Sequence, residues 1–272
     1  MNEGDDGPQL VVGRHPVREA LEAGEAIERL LIAEGAQAHG TLADILRMAA
    51  AAGVPVQHVP RAALDRVVAG NLAGRHQGVV AWAAAYRYAD LAEILARAIR
   101  AGEPPFVLLL DSLQDVHNVG ALLRSAEAAG VHGVVLSDRY GAGISAAVRK
   151  TSAGAAAHLA VARADLPEAM DTLAARGVGI AGLAADGAVP YDRADLAGPL
   201  AIAVGGEQRG LRPAVRRRCH VLVRLPMRGR VTSLNAGVAG SIALYEALRQ
   251  RLAAREVSPG AAAAFDTEGP DD

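Results

Sequence analysis

Three short segments carry residue types that can do chemistry. The first, DSLQDVHNVGALLRSAEAAG, starts at Asp111 and holds an amide (Asn118) and a guanidinium (Arg124) six residues apart. The second, AVGGEQRGL, holds two glycines and then Glu207 and Arg209. The third, LPMRGRVTSLNAGVAGSIALYE, crowds Arg228 and Arg230, then Ser233, Leu234 and Asn235, in front of a helical pattern. Glycines 205 and 206 let a backbone pass close to a ligand, and Gly210 permits a tight bend. Asn118 reads as the cap of the helix that carries Arg124, and Ser233 or Thr232 as the cap of the last helix. The free N–H groups of that last helix then form a pocket suited to an anion. Arg124 follows Leu122 and Leu123 on a helix that must pack, so its guanidinium calls for an anion or for carbonyls. Glu207 is either an ion-pair partner for neighbouring arginines or a carboxylate that orients a loop.

Each segment follows an apolar run. FVLLLD reads as a strand buried on both faces of a parallel sheet. VHGVVLS, LAVARA, VGIAGLA, LAIAVG and HVLVRLP read as further strands with helices between them, which is an open α/β sheet covered on both sides. In such a sheet ligands gather at the carboxyl ends of the strands, where all three segments fall. The last helix, from about Asn235 to Arg255, puts Val238, Ile242, Tyr245, Leu248 and Leu252 on one stripe. A smaller α/β unit precedes this one. GRHPVREALEAG is a helix closed by Gly24, IERLLIAEG a strand, and TLADILRMAAAAG a helix with Thr41 as N-cap and Gly53 as C-cap. VPVQHVP and QGVVAWAAA are strands on either side of a short helix. The expected division is a tail over 1–8, a small domain over 9–85, a linker helix over 86–103, a large domain over 104–255 and an acidic tail over 256–272.

Composition narrows the function classes. The net charge of the 272 residues is -2, yet both tails are acidic and without Lys or Arg, so the body between them is basic. Eight arginines (209, 212, 216, 217, 218, 224, 228 and 230) face one acid, Glu207, between residues 205 and 230, which points to a polyanion partner. Few aromatics (one Trp, five Tyr, two Phe) argue against extended base stacking and for recognition by backbone charge and RNA shape. The tails are too polar to bury a core and read as disordered. The acidic N-terminus is the wrong sign for a signal peptide, and no apolar run is long enough to span a bilayer. A single cysteine fits a reducing cytosol. Cys219, beside His220 and three arginines, has the surroundings of a low-pKa thiolate, although a buried bystander is the plainer reading. His117 and His132 have no partners at metal-ligand spacing, so no metal is expected.

Taken in order, the three segments resemble the motifs of the SpoU-type RNA ribose 2′-O-methyltransferases of the SPOUT superfamily: Asn118 and Arg124 in the first, Gly205 and Glu207 in the second, Ser233, Leu234 and Asn235 in the third. GRHPVREAL (13–21) and HQGVVA (76–81) resemble the small substrate-binding domain of the subgroup that methylates a guanosine ribose of large-subunit ribosomal RNA. The resemblance implies a trefoil-knotted methyltransferase domain behind a smaller α/β RNA-binding domain. It implies S-adenosylmethionine held by backbone at Gly205, Leu225 and Leu234, and catalysis by Asn118, Arg124, Glu207, Ser233 and Asn235. Arg209, Arg228 and Arg230 would meet ribosomal RNA, and a homodimer would form through the large domain of a cytoplasmic, membrane-free, metal-free enzyme. Two departures from the pattern stand out: Val116 stands where the family usually has proline, and Ala236–Gly237 where it often has Val–Ser. The alternatives are a transfer-RNA ribose methyltransferase of the same family, a non-catalytic ribosome-assembly factor, and a nucleotide-dependent oxidoreductase. The last is disfavoured because no G-x-G-x-x-G follows the FVLLLD strand.

Overall fold

The structure, a computed structural model, describes residues 9–22, 24–68, 75–207 and 209–257. Residues 1–8 and 258–272, which hold nearly all of the two acidic tails, lie outside it. The chain forms two sheets, one of four strands and one of seven.

The four-stranded sheet has the order β1 (Gln9–Val12), β4 (Val79–Ala83), β2 (Ile27–Ala33), β3 (Val56–Val59). β2 and β3 are parallel, whereas β4 runs antiparallel to both β1 and β2. Strand β1 has no counterpart in the sequence reading: four residues between Pro8 and Gly13 are too short to show a period. Helices α1 (Arg14–Glu22) and α2 (Thr41–Ala51) contribute Val17, Leu42, Ile45 and Ala49 to the core on one face, and α3 (Arg61–Val67) covers the other through Leu64. Thr41 is not the cap of α2. Gly40 holds that position without a side-chain hydrogen bond, and the C-cap is Ala52, with Gly53 left-handed one residue later. The two short segments quoted above meet in space. The backbone N–H of Arg14 donates to Gln77 Oε1 at 3.3 Å and its Nε to the Gln77 carbonyl at 3.1 Å.

The larger sheet is parallel throughout, in the order β7 (Ala160–Ala164), β6 (Gly133–Ser137), β5 (Phe106–Asp111), β10 (Leu200–Gly205), β8 (Gly179–Leu183), β11 (Val221–Arg224), β9 (Val189–Pro190). Its central strands are fully buried, as their unbroken apolar sequences require. On one face, α5 (Val116–Ala128), α6 (Ala146–Thr151), α7 (Ala155–His158) and α10 (Ala236–Val257) pack around Leu110, Leu122, Val204 and Leu244. On the other, α4 (Leu91–Ala101), α8 (Leu166–Ala174) and α9 (Pro213–Arg216) enclose Val107, Leu109, Met170 and Ala201. Helix α4, the segment read as a linker, buries Ile94 and Leu95 in this second core.

Of the apolar stripe of α10, Leu248 packs against the core and the other four residues face outward. Val238 is 49% exposed, Tyr245 51% and Leu252 50%, with Ile242 also exposed. Small residues do the packing instead. A Cβ on Gly240 would overlap Leu122 Cδ2, so α10 approaches α5 more closely than any side chain there would allow. Ser241 Oγ and Ser125 Oγ meet at 2.7 Å across the same contact.

Candidate active site

The carboxyl ends of β5 and β10 are adjacent, with Gly205 opposite Asp111, and β11 lies two strands beyond. Below these ends lies a cavity of about 230 Å³ lined by Leu183, Gly205, Glu207, Leu225, Ser233 and Leu234, among others. The second and third segments line this cavity, and the first supplies none of its lining residues but is joined to it through the Asn118–Glu207 hydrogen bond. Gly205 is required by geometry. A Cβ there would overlap the Gly210 carbonyl carbon and the Leu211 nitrogen, because the chain turns back on itself directly over the strand end. Gly206 is also tight, with its missing Cβ 2.7 Å from the Ser112 carbonyl oxygen.

Asn118 does not cap α5. Asp115 does, accepting from the His117 N–H at 2.8 Å, and this leaves Asn118 inside the first turn and buried. Its Nδ2 donates to Glu207 Oε1 at 2.5 Å and so joins the first segment to the second. Asn235, rather than Ser233 or Thr232, caps α10: its Oδ1 accepts from the Val238 N–H at 3.2 Å. A Cβ on Gly237 would lie 3.1 Å from Asn235 Oδ1 and 3.2 Å from Asn118 Oδ1. The two amides therefore converge over this glycine, and the departure at 237 makes room for them. Ser233 and Leu234 line the cavity, both exposed, with Leu225 half-buried across from them.

The arginines divide into two sets. Arg212, Arg216 and Arg218 pair with Asp111, Asp186 and Asp171, and Arg224 donates to the carbonyls of Gly187 and Ala188. These four are structural, so the charge density counted along the sequence overstates the free positive surface. Among the described residues the side chains of Arg124, Arg209, Arg228 and Arg230 are exposed and hold no hydrogen bond or ion pair, and Arg217, the eighth arginine of the run, is likewise exposed and unpaired. Arg124 does not need the carbonyls or anion of a core position, because it points off the packed face of α5. None of these five lines the cavity.

Other expectations resolve here. Burial pushes the Cys219 thiol up to about 11, the nearby Arg216 charge opposing it only in part, so Cys219 is no thiolate at neutral pH. His132 is far from the site along the sheet: its Nδ1 accepts from the N–H of Phe106, at the amino end of β5. No group of three His, Cys, Asp or Glu residues that could hold a metal occurs among the described residues. No described helix is long and apolar enough to cross a membrane. Sequence reasoning missed Leu183, Ala184 and Ala185, which line the cavity from the end of β8. The signal was available, since VGIAGLA ends at the same edge of the sheet. It also missed the Asp111–Arg212 pair, whose members are 101 residues apart.

The residues fit a sulfonium nucleoside. Leu183, Leu225 and Leu234 give apolar walls for a flat base, and the glycine backbone at 205–206 admits close approach. Comparison with known proteins agrees. The SpoU rRNA Methylase family model matches residues 105–245, and a model described as RNA 2′-O ribose methyltransferase substrate binding matches residues 10–89. A Bacillus subtilis (strain 168) protein named as a TrmH family tRNA/rRNA methyltransferase is 38% identical, over 89% of this chain and 95% of its own. The SpoU methyltransferase AviRb of Streptomyces viridochromogenes, solved in complex with AdoMet, has a TM-score of 0.65 and 28% identity, covering 90% of this chain and 91% of that one. An AdoMet-bound rRNA methyltransferase of Sinorhizobium meliloti has a TM-score of 0.59 and 26% identity, covering 88% and 86%.

Proposed function

Because this chain belongs to the SpoU rRNA methylase family, and is therefore an S-adenosylmethionine-dependent RNA methyltransferase, we propose that it methylates the ribose 2′-oxygen of a guanosine in large-subunit ribosomal RNA. The observation that carries this reading is the Asn118–Glu207 hydrogen bond at the rim of the cavity. It joins two motif residues 89 positions apart at the place where the methyl donor would sit. The family-model match over residues 10–89 supports the ribose 2′-oxygen as acceptor. The Sinorhizobium rRNA enzyme aligns with both units of the chain, which favours ribosomal over transfer RNA.

The bound donor supplies a methyl group already activated by its sulfonium, so the protein's task is mainly alignment, an effect able to contribute as much as ~7–11 kcal/mol. In our reading the backbone at Gly205, Leu225 and Leu234 holds the donor. Glu207 accepts from Asn118 and fixes the amide, and Asn118, Ser233 and Asn235 orient the ribose. With the donor bound, its methyl carbon would pass from sulfur to the 2′-oxygen, leaving a neutral thioether, and the 2′-hydroxyl proton would leave to solvent water. Arg124 is a poor base, since a guanidinium stays protonated. It grips the adjacent phosphate and stabilises the charge developing on the oxygen. Arg209, Arg228 and Arg230, free of protein partners, meet the RNA backbone. The exposed stripe of α10 is the face of a homodimer, and sedimentation as a single chain would remove that part of the reading. The turn of chain that crowds Gly205 belongs to a trefoil knot.

The test is to incubate the protein with labelled S-adenosylmethionine and unmodified ribosomal or transfer RNA and to map 2′-O-methyl groups. Label at one guanosine of the large-subunit RNA is expected. Label confined to transfer RNA would favour the sister activity, and none on either would favour a non-catalytic factor.

A further inference from the structure

Tyr140, in the loop after β6, is 51% exposed although it lies at the carboxyl edge of the large sheet. One face of its ring is covered: the Arg212 guanidinium carbon sits 4.5 Å from the ring centroid. That guanidinium cannot swing away. Its Nε donates to Asp111 Oδ1 at 2.5 Å, the Arg212 backbone N–H donates to Asp111 Oδ2 at 2.7 Å, and Nη2 reaches Ser137 Oγ at 3.3 Å. Asp111 is fully buried, and a buried carboxylate is tolerable only when paired in this way. The charge of Arg212 is thereby committed to the protein, and what it offers outward is a flat support for an aromatic ring.

This platform touches both loops of the site. Arg212 ends the loop that carries Glu207. The Tyr140 loop is tied to the segment leading to Asn118, because the Ala142 N–H donates to the Leu113 carbonyl at 2.8 Å. The other described aromatics are otherwise engaged. Trp82 lies under Arg29, Tyr86 and Tyr88 pack edge to face, Phe106 is buried, Tyr191 packs against the core, and Tyr245 is on the α10 stripe. A ring supported from behind and open in front is built to receive another flat group.

We propose that Tyr140, held by the Asp111–Arg212 pair, is a stacking platform for a single unpaired base of the RNA substrate, next to the ribose that is methylated. This rests on the RNA methyltransferase reading and adds to it a residue that selects a splayed, unpaired nucleotide over a helical one. A lone platform is consistent with a chain too poor in aromatics for extended stacking.

The probes are transcribed large-subunit ribosomal RNA and transcribed transfer RNA, and the assay uses whichever the wild type binds. Tyr140→Ala should raise the RNA Kd by roughly 5- to 100-fold. Affinity for S-adenosylmethionine should not change, nor should the slope of log affinity against log salt, because stacking releases no counterions. Tyr140→Phe should bind as the wild type does. Tyr140→Trp in a Trp82→Phe background leaves a single indole, whose emission should fall as RNA saturates the protein. Wild-type affinity in Tyr140→Ala, loss in Tyr140→Phe equal to that in Tyr140→Ala, or unchanged indole emission at saturation in the Tyr140→Trp protein would each overturn the platform while leaving the methyltransferase intact. A wild type that binds neither RNA would instead overturn the RNA reading, and the platform with it.

Discussion

At the scale of single residues, the proposed site combines two amides, a carboxylate and a guanidinium that play different parts. Asn118 and Glu207 are bonded to one another, so neither is free to wander, whereas Arg124 is exposed and waits for a partner. A planar fork that binds phosphate through two N–H groups is not replaced by a point charge. Arg124→Lys should therefore lower turnover by roughly 10- to 100-fold with affinity for S-adenosylmethionine unchanged. Near-normal turnover in a labelled-methyl assay would remove the clamp from the account. The residue types of the proposed site stand out in the sequence because amides and arginines after apolar strand runs are conspicuous there. Their local roles do not. Asp115 and Asn235 proved to be the caps, since two neighbouring polar residues compete for one position and only backbone geometry decides between them.

At the scale of elements, the strands of the large sheet were legible because burial on both faces leaves no polar residue to blur the pattern. What escaped was the direction of α10, whose apolar stripe suggested a packing face. The helix packs through Gly240, Ala243, Leu244 and Ala247 instead, because small residues permit the closest approach. Gly240→Ala should cost about 1–3 kcal/mol of stability by overpacking against Leu122 and Val204. A melt as stable as the wild type would show that α5 and α10 sit further apart. His132 makes a separate prediction at the start of β5. Burial holds its pKa below the usual histidine value, outweighing the Glu103 carboxylate that favours its charge. Its Nδ1 must also stay unprotonated to accept from Phe106. With a depressed folded pKa, the unfolded chain takes up the proton first as the pH falls. This contribution to stability is thus intact above about pH 6.5 and is lost below it. Thermal melts of the wild type should decline from there downward, and His132→Gln should decline less. Parallel curves for the two would contradict the assignment.

At the scale of the whole molecule, two sheets divide the work, and charged side chains meet across their junction. The chain's only lysine, Lys150, pairs with Glu19 of α1 at 2.8 Å, and Arg149 lies 3.9 Å from the buried Glu25, both across the junction of the two units. Half of the arginines between residues 205 and 230 are spent on such internal contacts, and this long-range pairing is what a one-dimensional charge count cannot see. The remaining free cations, the α10 stripe and the supported Tyr140 ring are the surfaces proposed for RNA and for a second copy of the chain. The proposed activity depends on this cavity holding one methyl donor, so the most direct measurement is calorimetric titration of the purified chain with S-adenosylmethionine, beside a Leu225→Asp variant that places a carboxylate in the apolar wall. The account predicts one donor bound per chain and loss of binding in the variant. No heat of binding in the wild type, or equal affinity in the two proteins, would contradict it.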